Sequence, residues 1–175
     1  MAERRNISEE KAQDIIDKYK AKAHVLSKWL DQNATNAIHD GYTTGESGHY
    51  RFYQVPTITS DETEEEMEVR LSRVDSIKRQ AKNHPIQSGC ASLLKSAVAR
   101  MYLEFRNGKS SGPNIYDAHF MLFVHDEVVV SAPDKHVAPV KQIMIDCSKW
   151  AFEKLWRDVV DFPVKVSVAG YYKKD

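Results

Sequence analysis

The chain has 175 residues, with 25 basic and 25 acidic side chains and a formal net charge of zero at pH 7. This length allows one domain with a real core, and the balanced charge argues against a free-standing nucleic-acid binder. The two cysteines lie far apart and lack C-x-x-C spacing, so neither a disulfide framework nor a zinc site is predicted. Without a signal peptide or membrane-spanning run in the sequence, we expect a soluble protein of the cytoplasm with no membrane partner.

The N-terminal part is predicted to be a long helix followed by a small hairpin. Ser8 is a suitable N-cap, and apolar residues recur at helical spacing until Gly41, which suits a C-cap. We expect this helix to bend midway. Tyr42–Val55 has two β-prone arms around a glycine-containing turn, which predicts a hairpin.

An acidic stretch and two further helices are predicted next. Residues 59–75 contain six acids and no base between Asp61 and Glu68, which indicates a solvated insert or loop, or a frayed helix start. A sparse apolar stripe leads to Pro85, which we expect to interrupt the helix because proline lacks an N–H and restricts the residue before it. The helix beyond it has a clean apolar face, formed by Leu93, Leu94, Ala97, Val98, Met101 and Phe105.

The most informative stretch is Phe120–Ala132, which reads F-M-L-F-V-H-D-E-V-V-V-S-A. Its apolar flanks predict buried strands at His119–Val124 and Val128–Ala132, between which charged residues are costly unless paired, hydrated or metal-bound. A hairpin that exposes His125, Asp126 and Glu127 at its tip resolves this conflict. Its carboxylates suit Mg²⁺, which commonly uses one or two protein carboxylates. A plain acidic turn is an equally open interpretation.

The C-terminal part is predicted to be one helix and one strand. Inward residues recur at helical spacing from Val137 to Leu155, and Phe162-Pro163 should end the helix. Val164, Val166 and Val168 alternate with polar residues, which predicts a half-buried strand. The elements together predict an α+β fold in one domain over residues 1–175, with a small antiparallel sheet packed on one side by helices.

A second constellation lies on the helices around Pro85. Arg79, Asn83 and Gln87 are four residues apart and would share one stripe if the helix ran through. Their hydrogen-bond donors suit the minor groove, where acceptors lie in similar places in every base pair. Lys78 and Lys82 would meet phosphates beside them. Taken alone, this polar stripe is better explained as the solvent-exposed face of a helix.

The two constellations, in this order, resemble the C-terminal palm of family A DNA polymerases. Arg79–Ala97 (R-Q-A-K-N-H-P-I-Q-S-G-C-A-S-L-L-K-S-A) is similar to the family's R-x-x-x-N-x-P-x-Q segment, which lies against the primer–template minor groove. F-V-H-D-E-V-V-V is similar to its V-H-D-E hairpin, which carries a catalytic carboxylate. Ile7–Tyr19, Gly41–Gly48 and Val164–Gly170 extend the resemblance to nearly the whole chain.

The resemblance implies roles for individual residues. Asp126 would be the metal-binding carboxylate, Glu127 an accessory carboxylate and metal ligand, and His125 a neighbour of the primer terminus. Arg79, Asn83 and Gln87 would contact the duplex near the newest base pairs. The family often has G-R-R after the hairpin turn, where this chain has Gly48-His49-Tyr50-Arg51, so only Arg51 remains a candidate for DNA contact there.

The resemblance also implies that part of the active site lies outside this sequence. Two-metal phosphoryl transfer needs carboxylates that bridge both ions, and this hairpin supplies one side. The family's other aspartate, on a D-Y-S-Q-I-E-type strand, and its nucleotide-binding helix are not found in the sequence. We therefore expect the C-terminal chain of a split polymerase of phage type, acting in the host cytoplasm. An N-terminal partner chain would complete a Mg²⁺ site for DNA synthesis from dNTPs on a primer–template.

Three alternatives stay open at this point. The sequence is equally compatible with a piece excised from a longer enzyme, although the Met1 start mildly favours a separate gene. A small metal-dependent nuclease would use His125, Asp126 and Glu127 without a partner. A degenerate palm would serve as a non-catalytic DNA-binding module.

Overall fold

The computed structural model describes residues 8–124, 126–157 and 161–171. The chain divides into two compact units, Met1–Ile86 and Gln87–Asp175. Each contains helices and a two-stranded antiparallel sheet, so the predicted α+β class is confirmed. That residues 1–175 act as a single domain stays a prediction. Among the described residues, no helix is long and apolar enough to cross a membrane.

The first unit begins with two consecutive helices, α1 (Glu9–Lys22) and α2 (His24–Asp40). They meet at Ala23, whose backbone (φ −102°, ψ 43°) is not helical, so the predicted bend is a break. Ser8 caps α1, because its hydroxyl oxygen accepts a hydrogen bond from the Lys11 N–H at 3.3 Å. Gly41 ends α2 with a φ of 76°, a left-handed conformation that glycine adopts without strain.

The predicted small hairpin follows α2. Strands β1 (Tyr42–Thr44) and β2 (Tyr50–Phe52) pair antiparallel, with Thr43 opposite Arg51. A small core lies beside them, formed by Ala37, Ile77 and Ala81 with Ile38, Tyr53 and Val55 packed against it.

The longest element is helix α3 (Glu64–Phe105), which contains Pro85. The predicted interruption at Pro85 is therefore wrong. A proline removes only one hydrogen bond of the ladder, the bond to the Ala81 carbonyl, and the bonds on either side can continue the helix. At its start, the Thr63 hydroxyl accepts from the Glu66 N–H, and the Glu66 carboxylate accepts from the Thr63 N–H. This capping box makes the acidic stretch helical from Glu64 onward.

The second unit packs a hairpin and a helix on the C-terminal part of α3. Strands β3 (His119–Val124) and β4 (Glu127–Ser131) pair antiparallel, with a shift in register between Phe120 and Leu122. A 3₁₀ turn at Asp134–His136 leads into helix α4 (Val137–Trp156). The core between these elements contains Ala97, Met101, Phe105, Ala118, Val140, Cys147 and Ala151.

The C-terminal segment differs from its prediction. Helix α4 ends at Trp156, before Phe162-Pro163, and Arg157 follows it in a left-handed conformation. The ring of Phe162 stacks on Phe152 of α4, with centroids 4.5 Å apart. Val164 and Val166 are half-buried, but Val168 is 59% exposed, and residues 164–168 pair with no strand among the described residues, so the predicted final strand is wrong.

Candidate functional site

The tip of the β3–β4 hairpin exposes its two carboxylates. Asp126 lies in the turn, and Glu127 begins β4 opposite Val124 at the last pair of the ladder. Both residues are exposed. His125, the third residue of the predicted site, lies outside the described residues.

The base of this hairpin is fixed to the core. The ring centroid of Phe120 lies 5.5 Å from that of Phe105 in α3 and 5.7 Å from that of Phe123. Phe120 and Val130 also pack against the core cluster of the second unit. An exposed carboxylate thus lies at the end of a hairpin whose base is packed in the core, and a precise ligand site needs packing of this kind.

The donor chemistry of the tip suits magnesium. Within the described parts of the chain, no three His, Cys, Asp or Glu side chains are grouped to hold a metal ion. Mg²⁺, however, is commonly bound through one or two carboxylates, with its other positions left to water and substrate phosphates. Asp126 and Glu127 provide hard oxygen ligands of this kind.

The outer side of β3 departs from the predicted burial. Met121 and Phe123 are 63% and 53% exposed, although we expected a buried strand. The register shift between Phe120 and Leu122 breaks the alternation of β3, so Phe123 lies on the same side as Phe120 and stacks on its ring but stays half exposed. Met121 and Phe123 are thus apolar side chains that the described residues leave more than half exposed.

The predicted minor-groove residues lie on α3. Arg79 and Asn83, in the first unit, are exposed and one helical turn apart. Gln87, the first residue of the second unit, is also exposed, and the helix assignment continues through it. The common stripe of Arg79, Asn83 and Gln87 stays a prediction.

The other predicted DNA contacts already have partners within the chain. Lys78 lies 3.7 Å from Asp75, and Lys82 lies 2.5 Å from Asp31. The hydrogen bond from Lys82 lowers the pKa of the Asp31 carboxyl below its usual value. Arg51 donates a hydrogen bond to the side-chain oxygen of Gln80. Exposed ion pairs of this kind are weak, so a phosphate can compete for either lysine.

One group of residues was missed by sequence reasoning. Thr43 is buried, and its hydroxyl lies 2.9 Å from both the Tyr53 hydroxyl and Nδ1 of His84. His84 is 41 positions from Thr43 in the chain, so no local pattern links the two. The only signal available was a histidine between Asn83 and Pro85, at a position that the R-x-x-x-N-x-P-x-Q pattern leaves unspecified.

Comparison with known proteins places the chain in a family. The sequence model of DNA polymerase family A matches residues 1–174. DNA polymerase I of Chloroflexus aurantiacus is 24% identical over 168 residues, which cover 96% of this chain and 16% of that protein. DNA polymerase I of Geobacillus stearothermophilus is 29% identical over 138 residues, covering 78% of this chain and 14% of that protein.

A solved structure has the same fold. The POL domain of Pol1 from M. smegmatis, in complex with DNA primer-template and dNTP, superposes with a TM-score of 0.67 at 23% identity. The match covers 86% of this chain and 24% of that one. The chain belongs to DNA polymerase family A. It spans only a small part, 14–16%, of the length of the two curated relatives named here.

Proposed function

We propose that this chain is the C-terminal, carboxylate-bearing part of a DNA-directed DNA polymerase and acts together with a partner chain. The observation that carries the proposal is Asp126, an exposed carboxylate at the tip of a hairpin whose base is anchored in the core. The family match over residues 1–174 and the R-x-x-x-N-x-P-x-Q segment upstream support the same function.

In this proposal Asp126 and Glu127 hold magnesium jointly with an aspartate of the partner chain. Bound magnesium stabilises the charge that develops during phosphoryl transfer. The protein's own contribution is to position the carboxylate oxygens, since Phe120 of β3 packs on Phe105 and Val130 of β4 packs against the core. His125 is proposed to lie beside the primer terminus.

Uncovered apolar side chains favour a partner chain. Met121 and Phe123 of β3 are more than half exposed, and so are Tyr19 of α1 and Val25 of α2. Large exposed apolar areas are typical of protein interaction sites. The proposed partner brings the nucleotide-binding helix and the first palm aspartate. The split arrangement, the phage-type origin and the host cytoplasm as location are parts of this proposal.

The proposed DNA contacts follow from position and chemistry. Arg79, Asn83 and Gln87 offer donors to minor-groove acceptors, which allows contact with any base-pair sequence. Lys78 and Lys82 are proposed to exchange their intramolecular carboxylate partners for phosphates. Arg51 is held by Gln80, so its contact with DNA is the weakest of these proposals.

Primer extension tests the proposal. The purified chain alone should extend no primer, whereas the chain co-expressed with the N-terminal half should extend one in the presence of Mg²⁺ and dNTPs. Chelation of magnesium should stop the reaction, and added magnesium should restore it. Extension by the isolated chain would contradict the partner requirement, and DNA degradation by the isolated chain would assign the hairpin to a nuclease instead.

A further inference from the structure

The hairpin β1–β2 is joined to helix α3 by a chain of hydrogen bonds that the proposed function does not use. Thr43 is only 4% exposed, and its Oγ1 lies 2.9 Å from the Tyr53 hydroxyl and 2.9 Å from Nδ1 of His84. A buried hydroxyl is costly unless its hydrogen bonds are made inside the protein. Both the donor and an acceptor position of Thr43 have partners here, so this contact is specific.

A second link lies one helical turn away. The Arg51 guanidinium of β2 donates a hydrogen bond to the side-chain oxygen of Gln80. Cζ of Arg51, the central carbon of the guanidinium, lies 5.7 Å from the ring centroid of Tyr53. Gln80 and His84 are four residues apart and so lie on the same side of α3. Arg79 directly precedes Gln80, and Asn83 directly precedes His84. Arg79 and Asn83 therefore lie on a neighbouring side of α3, and both are exposed.

This turn of α3 lacks one backbone hydrogen bond. Pro85 has no N–H to donate to the Ala81 carbonyl, and an interior proline weakens a helix at the turn before it. Asn83 and His84 belong to that turn. A side-chain link from His84 to a buried strand residue supports the helix where its own ladder is incomplete.

The direction of the hydrogen bonds is consistent along the chain of residues. Burial, together with the nearby charges of Arg51 and His49, lowers the pKa of His84 and keeps its ring neutral. Its Nδ1 can then accept from the Thr43 hydroxyl, which in turn accepts from the Tyr53 hydroxyl. Each hydroxyl proton has one acceptor.

We propose that Tyr53, Thr43 and His84 form a brace that fixes the turn of α3 presenting Arg79 and Asn83, and that these three are positioning residues for primer–template binding. The brace rests on the proposed function for its effect on DNA, but its effect on the helix is independent of DNA. Thr43→Val removes the hydroxyl while keeping the shape of the side chain. Thr43→Ser restores the hydroxyl, and Thr44→Val is the matched control at an exposed position of the same strand.

Two measurements test the brace. In the full chain, hydrogen–deuterium exchange of residues 79–84 should be roughly tenfold faster in Thr43→Val than in the wild type, with Thr43→Ser and Thr44→Val close to the wild type. In the assembled polymerase, the Kd for a primer–template duplex should rise roughly fivefold for Thr43→Val, while KM for dNTP is unchanged. If Thr43→Val does not fold, Tyr53→Phe, which removes only the outer hydroxyl, is measured in the same way.

The outcomes separate the two proposals. Wild-type exchange at residues 79–84 in the hydroxyl-deficient variant would overturn the brace, whatever the assembled enzyme does. Faster exchange with an unchanged primer–template Kd would overturn its role in DNA binding. A wild-type assembly that extends no primer would refute the proposed function. The exchange measurement would still show whether the brace stabilises this turn of α3.

Discussion

The ring of Phe120 in β3 packs against the ring of Phe105 at the end of α3, with centroids 5.5 Å apart and planes inclined by 39°. Phe105 is 2% exposed and belongs to the core of the second unit. This pair connects the hairpin that carries Asp126 to the helix that carries the core residues Ala97 and Met101. The position of the proposed metal ligand therefore depends in part on this aromatic contact in the core.

Phe105→Ala should destabilise the chain by about 3–5 kcal/mol, because it removes a fully buried ring and leaves a cavity. The matched control is Phe123→Ala, which truncates a phenylalanine of β3 that is 53% exposed. We expect the control to cost about 1 kcal/mol. Urea denaturation of the full chain measures both, and equal losses would contradict the assigned core.

Gly41→Ala should lower stability by about 1 kcal/mol, because an alanine is strained in the left-handed conformation that ends α2. The φ of Gly41 is 76°, and its N–H donates to the Ala37 carbonyl. Gly170→Ala is the control, since an added Cβ there meets no atom within 4 Å and its φ is not positive. A thermal scan compares the variants; a Gly41→Ala melting temperature equal to that of the control would contradict the capping assignment.

The two cysteines should react differently with thiol reagents. Cys90 is exposed, whereas burial, with a contribution from Glu104, raises the pKa of Cys147 to about 11. Alkylation of the native chain at pH 8 should therefore modify Cys90 alone, as mass spectrometry can determine. In the unfolded chain a thiol ionises near pH 8.5. The stability contributed by protonated Cys147 is complete below that pH and is lost as the pH rises toward 11. Equal labelling of both thiols would contradict the burial of Cys147.

Arg79→Ala should weaken primer–template binding by the assembled enzyme roughly tenfold, because it removes a charged hydrogen-bond donor to the duplex. The loss should be similar for duplexes of different sequence, since the minor groove presents similar acceptors in each. Arg73→Ala, on the same helix and hydrogen-bonded to Gln54, is the control. A fluorescence anisotropy titration gives both dissociation constants. Binding that depends on Arg73 as strongly as on Arg79 would contradict a specific contact.

Local patterns predicted those elements whose causes are local. Ser8 and Gly41 lie at helix ends because their side-chain chemistry and backbone freedom suit caps, and both hairpins follow from β-prone arms around turns. The predicted helix end at Pro85 is wrong, because the loss of one backbone hydrogen bond does not end a helix whose other hydrogen bonds continue on both sides.

Long-range contacts set the limit of what the sequence could predict. The side on which Phe123 lies depends on the register shift in β3, and residues 164–168 alternate in sequence like a strand without pairing to one in the described structure. The bond between Thr43 and His84 joins residues that no periodicity relates. The exposed position of Asp126 could be predicted because carboxylates between apolar strands are costly to bury, and a hairpin tip avoids that cost.

The most direct test of the central claim is the rate of primer extension by the reconstituted two-chain enzyme with Asp126→Asn, compared with Asp161→Asn as a control at an exposed carboxylate of the same unit. Loss of a metal-binding oxygen should lower the extension rate about a hundredfold or more in Asp126→Asn, with duplex binding retained and the control at the wild-type rate. An Asp126→Asn enzyme that extends primers as fast as the wild type would contradict the assignment of this hairpin to catalysis.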